Sequence, residues 1–554
     1  MAAPPTTALF DQFARGWRGY ALIALIALAA ALFGAEQAPV MDAGEARFAL
    51  VTRSLLETSV MPKGEAAAPV HLLQESAVRA FSPRRFSEIW PYRLPSALGL
   101  VLAAIACLWA GSALLLPRPA FLGAALFAAG IYVGFIGMLA TPDALLLGFA
   151  TLAMAALAQL RRANVGLKHA RLCALMFWFA LVCAASIDAI APLLITALAL
   201  GGLFLWERRA AWMRPLLWWP GIAIAAIVAL ISFSAGATLS STALKFDNGH
   251  MSLPGFYLVL LPLLLFPATY ALPAAVRLGI EAVRAPRSEP QPLMFLLAWA
   301  LPTIALCELW PTKSPHSILL AFPAIALMCG AGLTAMRGRK WRSAHPVGLV
   351  LLGVVGLVIT VFIAGAATFM PGDIDADIRR AVSAALVSVL LVGGAIAGLI
   401  YWRRATARGA VLVLCALALS YSLREHILPD ARGLNVSDEI VDALARTRLS
   451  PNERRTLWVV GYDEGSIVFR TRRATTLASA EDAGAGAKPG DAVVVEGREL
   501  AATQAALQAR DLNFETEEQP VRGIALDNGR RVALYVGSVT SAGAASADAP
   551  PQSP

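Results

Sequence analysis

Apolar residues along the chain fall into thirteen long runs separated by shorter polar breaks. The runs cover approximately 19–36, 96–116, 119–137, 142–160, 171–186, 189–206, 215–236, 253–275, 292–308, 316–336, 346–370, 380–401 and 409–427. A bilayer-spanning helix needs about 20 mostly apolar residues, so the pattern predicts about thirteen transmembrane helices. Two polar stretches stand out. Residues 37–91 are too long for a simple connection. Within them, Met41 to Thr58 carries Phe48, Val51 and Leu55 at helical spacing, which predicts an amphipathic helix on the membrane surface. The second stretch begins near Leu428. Arg455–Asp463 and Asp491–Gly497 read as strands, Ile467–Phe469 as the beginning of another, and Leu500–Asp511 as a helix. Gly523–Leu526 and Arg531–Val536 flank Asp527-Asn528-Gly529, a strong hairpin signal. The expectation is an all-α polytopic membrane protein over 1–427, a small C-terminal α/β domain over 428–537, and an Ala/Ser/Pro-rich disordered tail over 538–554.

Composition narrows the class further. Hydrophobic residues make up 58% of the 554 and charged residues only 15%, against about 25% charged in an average soluble domain. Mean hydropathy is +0.64. Soluble domains of this total length would need more polar surface, so a soluble multidomain chain is excluded, as are a disordered chain and a disulfide scaffold. The six cysteines all lie in apolar runs without metal-ligand spacing and read as small buried side chains.

The net charge of +9 is unevenly spread. From Leu428 onward there are 14 Lys/Arg and 18 Asp/Glu, so the excess belongs to the apolar part. Basic residues such as Arg15, Arg18, Arg161, Arg162, Arg208, Arg284, Lys340 and Arg404 recur on every second side of the runs. Lysine and arginine are retained on the cytoplasmic side. This predicts a cytoplasmic N-terminus, an uncleaved first helix, and the loop 37–91 and C-terminal domain outside, in the periplasm of a bacterial inner membrane. The basic excess is topology signal, not a nucleic-acid footprint.

The same outer side collects the charges that are expensive beside a membrane unless they are used or solvated. Asp42, Glu45 and Arg47 open the surface helix, and Arg84, Arg85 and Arg93 close the loop. Asp143 begins the fourth run, and Asp188 separates the fifth from the sixth. Asp247 and His250 lie in one later loop, and Glu308, Lys313 and His316 in another. Carboxylates beside cations could supply a general base or hold a metal ion, and the cations could hold a lipid phosphate. Helix capping and solvated loop charge account for any one of them equally well. Phosphate-binding glycine loops, G-x-S-x-G and H-E-x-x-H are absent from the sequence.

Six elements, in order, resemble one family. Met41-Asp42-Ala43-Gly44-Glu45-Ala46-Arg47 is similar to the Asp-Glu-x-Arg opening of the polyprenyl-phosphate-sugar glycosyltransferases related to protein O-mannosyltransferases and lipid A aminoarabinose transferases. Tyr92-Arg93-Leu94-Pro95-Ser96 resembles their R-L-P-S element, and Thr141-Pro142-Asp143-Ala144-Leu145-Leu146 their T-x-D-A-L-L element. Pro254-Gly255-Phe256-Tyr257 and Pro311-Thr312-Lys313-Ser314-Pro315-His316 look like P-G-Y-Y and P-T-K-x-P-H. Gly461-Tyr462-Asp463-Glu464-Gly465-Ser466 looks like a G-Y-x-E-x-S element of bacterial members.

The resemblance implies a GT-C-like fold and transfer of a sugar from a polyprenyl-phosphate donor to a lipid, glycan or protein acceptor at the periplasmic face. It implies Asp42 or Glu45 as the catalytic carboxylate. Arg93, Lys313, His316, Arg84 and Arg85 would bind the donor phosphate, with Arg47 and Asp143 supporting. No cofactor is demanded, and a divalent metal ion on Asp42 and Glu45 is the one candidate. Gly44 stands where the family's first acidic residue is expected, and Ala66-Ala67-Ala68-Pro69 lacks the basic residue usual before that proline, although Lys63 is near. The alternative is a catalytically impaired relative that binds lipid-linked sugar or scaffolds an envelope complex. A transporter is a third reading, disfavoured because its charges would gather near the bilayer midplane.

Overall fold

The structure is a computed structural model. It describes residues 5–41, 44–60, 68–83, 86–162, 166–208, 211–234, 255–285, 291–310, 313–336, 338, 343–369, 374–452, 454–471, 475–516, 519–525 and 529–541. Asp42, Arg84, Arg85, Asp247, His250 and most of the Asp527-Asn528-Gly529 turn lie outside these residues.

Helices dominate up to Ile427, and a small sheet follows. Among the described residues, eight helices are long and apolar enough to cross a membrane, or up to eleven when each bent pair counts as one span. Trp17–Leu32 and Ala191–Glu207 are shorter apolar helices. The chain is a multi-pass membrane protein.

Three runs expected as single helices are broken. Pro117–Ala128 and Ile131–Met138 meet at 55°, at Ala129-Gly130. Ala211–Leu217 and the helix beginning at Trp219 meet at 52°. Phe256–Leu264 and the segment Ala268–Arg284 fold back on each other at 116°. Apolar content reports burial in lipid but is blind to such bends. Gly130 and Pro267 stand in two of these breaks, and Pro215 just before the third.

The run expected at 96–116 begins earlier, as Trp90–Leu114, so Arg93 lies inside a helix instead of a loop. This helix packs against Asp143–Leu160 through small residues. A Cβ added to Gly99 would stand 2.6 Å from the Ala144 backbone, and one on Gly148 2.7 Å from the Gly99 carbonyl. Small residues let two membrane helices approach this closely, and the approach sets Asp143 beside the start of the Trp90–Leu114 helix.

The loop 37–91 contains two surface helices, Glu45–Thr58 and Ala68–Phe81. The first buries Ala46, Ala49, Thr52, Leu55 and Leu56, while Phe48 and Val51 are half-buried.

The C-terminal domain is a six-stranded sheet: β1 Leu457–Val460, β2 Thr475–Ala478, β3 Ala492–Glu496, β4 Leu512–Thr516, β5 Val521–Ala525 and β6 Arg530–Ser541. The order is β2-β1-β3-β6-β4, with β5 also on β6. β1 is parallel to β2 and β3, and β6 is antiparallel to its partners. Side chains alternate across a strand. Val494 therefore packs toward helix Val436–Arg446, and Val493 and Val495 toward helices Ala480–Gly486 and Leu500–Gln508. Helices cover both faces, so β3 is buried along its whole length.

Two expectations for this domain are corrected. Ile467–Phe469 belongs to a helix, Gly465–Thr471, because Ile467 packs into the domain core while Phe469 packs on the surface helices. A three-residue apolar run carries no period that separates the two structures. The tail begins later than Ser538, since β6 continues to Ser541 and pairs Ser538 with Ala492 and Ser541 with Leu512.

Candidate functional site

The first surface helix starts at a fixed point. Glu45 Oε1 accepts from Arg93 Nε at 2.8 Å and from the Ala140 amide at 2.8 Å. Its Oε2 accepts from Arg93 Nη2 at 2.8 Å and from the Met41 amide at 2.9 Å. The remaining Arg93 donors reach the carbonyls of Ala35, Ala38 and Pro39 at 2.7–3.0 Å. All five guanidinium N–H bonds are engaged, and each carboxylate oxygen takes two donors. The pair is buried and ties four segments together: the end of the first span, the surface helix, the Trp90–Leu114 helix and the turn before Asp143. Glu45 in this arrangement has no lone pair left for a metal ion, and Arg93 has no N–H left for a phosphate. Among the described residues no group of three or more His, Cys, Asp or Glu is arranged to hold a metal.

Gly44 precedes this anchor with φ +134°, and a Cβ placed there would meet nothing within 4 Å. The backbone, not crowding, requires glycine at this point. Arg47 is exposed.

A polar chain runs behind the helix. The amide nitrogen of Gln74 donates to the Tyr92 and Ala140 carbonyls. Its oxygen therefore faces Thr52 and accepts from that hydroxyl at 2.6 Å. With its proton committed, the Thr52 oxygen must accept from His71 Nδ1 at 2.7 Å. His71 is thus the Nδ1–H tautomer, stacked 3.9 Å from Phe48, with its buried Nε2 unpartnered. Burial lowers its pKa to about 4. The Ala140 peptide is used at both ends, N–H on Glu45 and C=O on Gln74.

A second cluster forms at the start of helix Phe256–Leu264. Glu308, at the end of helix Pro292–Leu309, accepts from the amides of Gly255, Tyr257 and Leu258 at 2.8–3.2 Å. Lys313 Nζ donates to its Oε2 at 3.1 Å and to its carbonyl at 3.0 Å. Tyr257 Oη donates to the Ser314 carbonyl and accepts from the Ser314 amide. Ser314 Oγ lies 2.6 Å from His316 Nδ1. Asp143 is half-buried at the first turn of its helix. Asp188 is a cap: its Oδ1 accepts from the Ile190 and Ala191 amides.

The C-terminal domain closes one side. A Cβ on Gly465 would lie 3.4 Å from Ala46 and from Leu50. Arg53 Nη1 donates to the Phe469 carbonyl. Next to this seam, Glu464 is buried; its Oε2 accepts from Tyr462 Oη at 2.6 Å and its Oε1 has no hydrogen-bond partner among the described residues. Asp438, bonded to Arg470 at 2.7 Å, has its pKa raised by burial against the opposing pull of that arginine.

No family model and no curated protein matches the chain. Solved structures do. ArnT from Cupriavidus metallidurans bound to undecaprenyl phosphate superimposes with a TM-score of 0.72 at 16% identity, covering 93% of this chain and 97% of that chain. The chain has the ArnT fold. The same protein in the apo state gives 0.71 at 16% identity, covering 96% and 99%. The match takes in the helical part and the C-terminal domain together, so the fold likeness extends over 93–96% of the chain.

Of the residues that the sequence groups at one face, the structure joins Glu45 to Arg93 and Lys313 to Glu308, with His316 on Ser314 beside the latter pair. Sequence reasoning missed Gln74, Thr52 and His71, whose only signal was a polar stripe on otherwise apolar helical faces. It quoted Glu464 inside an element without giving it a part.

Proposed function

We propose that the protein is a membrane glycosyltransferase. It moves a sugar from a polyprenyl-phosphate donor to a lipid, glycan or protein acceptor at the periplasmic face, with the N-terminus cytoplasmic. The observation that carries this reading is the end-to-end likeness to a structure bound to undecaprenyl phosphate.

In this reading the acceptor oxygen attacks the anomeric carbon, and the bond from that carbon to the phosphate oxygen breaks. The acceptor proton passes to a carboxylate, and the phosphate leaves with the electron pair. Asp42 is the base, because Glu45 is saturated by Arg93. Glu45 and Arg93 are positioning residues: the Met41 amide bonded to Glu45 fixes the chain one residue before Asp42. Lys313 and His316 take the leaving phosphate, with Arg84 and Arg85 from the first loop, and Asp143 and Arg47 support the site. Glu464 is a second buried carboxylate at the edge of the same site. Cations at a leaving phosphate stabilise charge that grows in the transition state.

The test is transfer of labelled sugar from a panel of undecaprenyl-phosphate sugars by the purified chain. Activity lost in Asp42→Asn and kept in Lys488→Ala, an exposed residue of the C-terminal domain, supports the assignment. Full activity in Asp42→Asn removes Asp42 from the chemistry. Donor binding without transfer in the unaltered protein would favour the impaired relative.

A further inference from the structure

A cavity of about 910 Å³ lies on the other side of the C-terminal domain, between β5, β6 and the helical bundle. Its floor includes Phe369, just past helix Ala344–Ala367, and Asp377, where the next span begins. Two adjacent spans end there, so the cavity sits at the depth of lipid head groups. Its wall carries four arginines: Arg432, Arg446, Arg522 and Arg531.

Strand register explains two of them. Ile524 pairs with Arg531 and Arg522 with Ala533. Arg522 and Arg531 therefore project from the same face of the hairpin, as diagonal neighbours. Neither has an ion-pair partner among the described residues. Arg432 and Arg446 both turn to one carboxylate, Glu439, at 3.2 and 3.6 Å. Four cations face two carboxylates across this space, in a chain segment that holds more acidic than basic residues overall. Asp377 contributes an acceptor: its Oδ1 is buried without a hydrogen-bond partner among the described residues, with Arg380 Nη1 3.8 Å away.

The geometry points to a binding site for the head group of a phosphate-bearing lipid that also carries hydroxyl or amine donors. The arginine forks bind the phosphate oxygens, and Asp377 accepts from the hydroxyl or amine. The apolar tails continue from the cavity floor into the bilayer beside Phe369. This site stands on its own observations and does not require that the protein transfer sugar.

The full chain in detergent is titrated with short-chain phosphatidylglycerol, phosphatidylcholine and soluble glycerol phosphate, and bound ligand is counted by native mass spectrometry. Phosphatidylglycerol binds best. Arg522→Ala/Arg531→Ala weakens it roughly thirtyfold, as expected for two arginines at a membrane surface. Arg454→Ala/Lys488→Ala removes two exposed cations of the same domain outside the cavity and leaves binding unchanged. Equal binding by the unaltered chain and the Arg522/Arg531 variant overturns the site. Equal loss in both double variants overturns it too, by assigning the attraction to general charge. Soluble glycerol phosphate binding as tightly as the lipid would overturn the lipid assignment.

Discussion

Glu45 and Arg93 meet side-on through two bonds of 2.8 Å, and their side chains are 0% and 1% exposed. Removing one partner of a buried pair strands the other, which costs about 3–5 kcal/mol. Glu45→Ala and Arg93→Ala should each lower the thermal unfolding temperature of the detergent-purified protein sharply. The double variant should lose much less than the sum, because the two changes remove one shared interaction. Arg93→Lys should behave like Arg93→Ala, since lysine cannot serve five acceptors in a planar fork. Strictly additive losses would show that the pair does not act as a unit.

Gly44 concerns backbone strain more than lost chemistry. A non-glycine residue held at its φ of +134° costs about 1–3 kcal/mol. Gly44→Ala and Gly44→Asp should therefore destabilise the protein to a similar degree, and Gly44→Asp should not raise transfer activity. A stable, more active Gly44→Asp protein would mean that the position is a decayed catalytic site.

His71 gives a pH signature. Its pKa falls to about 4 on burial, below the unfolded value near 6.5. The unfolded chain gains this proton first, so the His71 contribution is complete above about pH 6.5 and is lost as pH falls toward 4, by about 3 kcal/mol at most. His71→Asn keeps a donor for Thr52 and cannot titrate. Unfolding measured from pH 7 to 4 should be less steep in this variant than in the unaltered protein. Identical slopes would remove His71 as the source.

These positions show what the sequence did and did not disclose. Spans were legible because lipid burial demands long apolar runs. Their bends were not, because Ala129-Gly130 and Pro267 are read locally while the angle is set by packing. Glu45, Arg93 and Lys313 were legible as charges that a membrane protein would not carry idly. Their partners were not: Ala140, Met41 and Pro39 act through peptide groups, which every residue possesses. Whether a charge is available to a ligand or consumed by the fold depends on those peptide groups.

Phe469 joins the two parts of the molecule. It is fully buried against the surface helices, with its ring 5.5 Å from Tyr92 in a T-shaped contact. Phe469→Ala should cost about 3–5 kcal/mol of packing and loosen the docking of the C-terminal domain. Limited proteolysis between Leu428 and Asn435 should then become faster, while the same region in Leu477→Ala, an exposed β2 residue, should be cut at the original rate. Unchanged cleavage in Phe469→Ala would show that the domain is held elsewhere.

The central claim is that the site of Lys313 and His316 receives a polyprenyl phosphate. The most direct measurement is equilibrium binding of undecaprenyl phosphate to the purified full-length chain, with undecaprenol as the phosphate-free control. Saturable binding is expected for the phosphate and not for the alcohol. A charge-assisted contact is worth about 1.5–3 kcal/mol, so Lys313→Ala should weaken binding about tenfold or more. Equal binding of phosphate and alcohol, or a Lys313→Ala protein that binds as tightly as the original, would contradict the account.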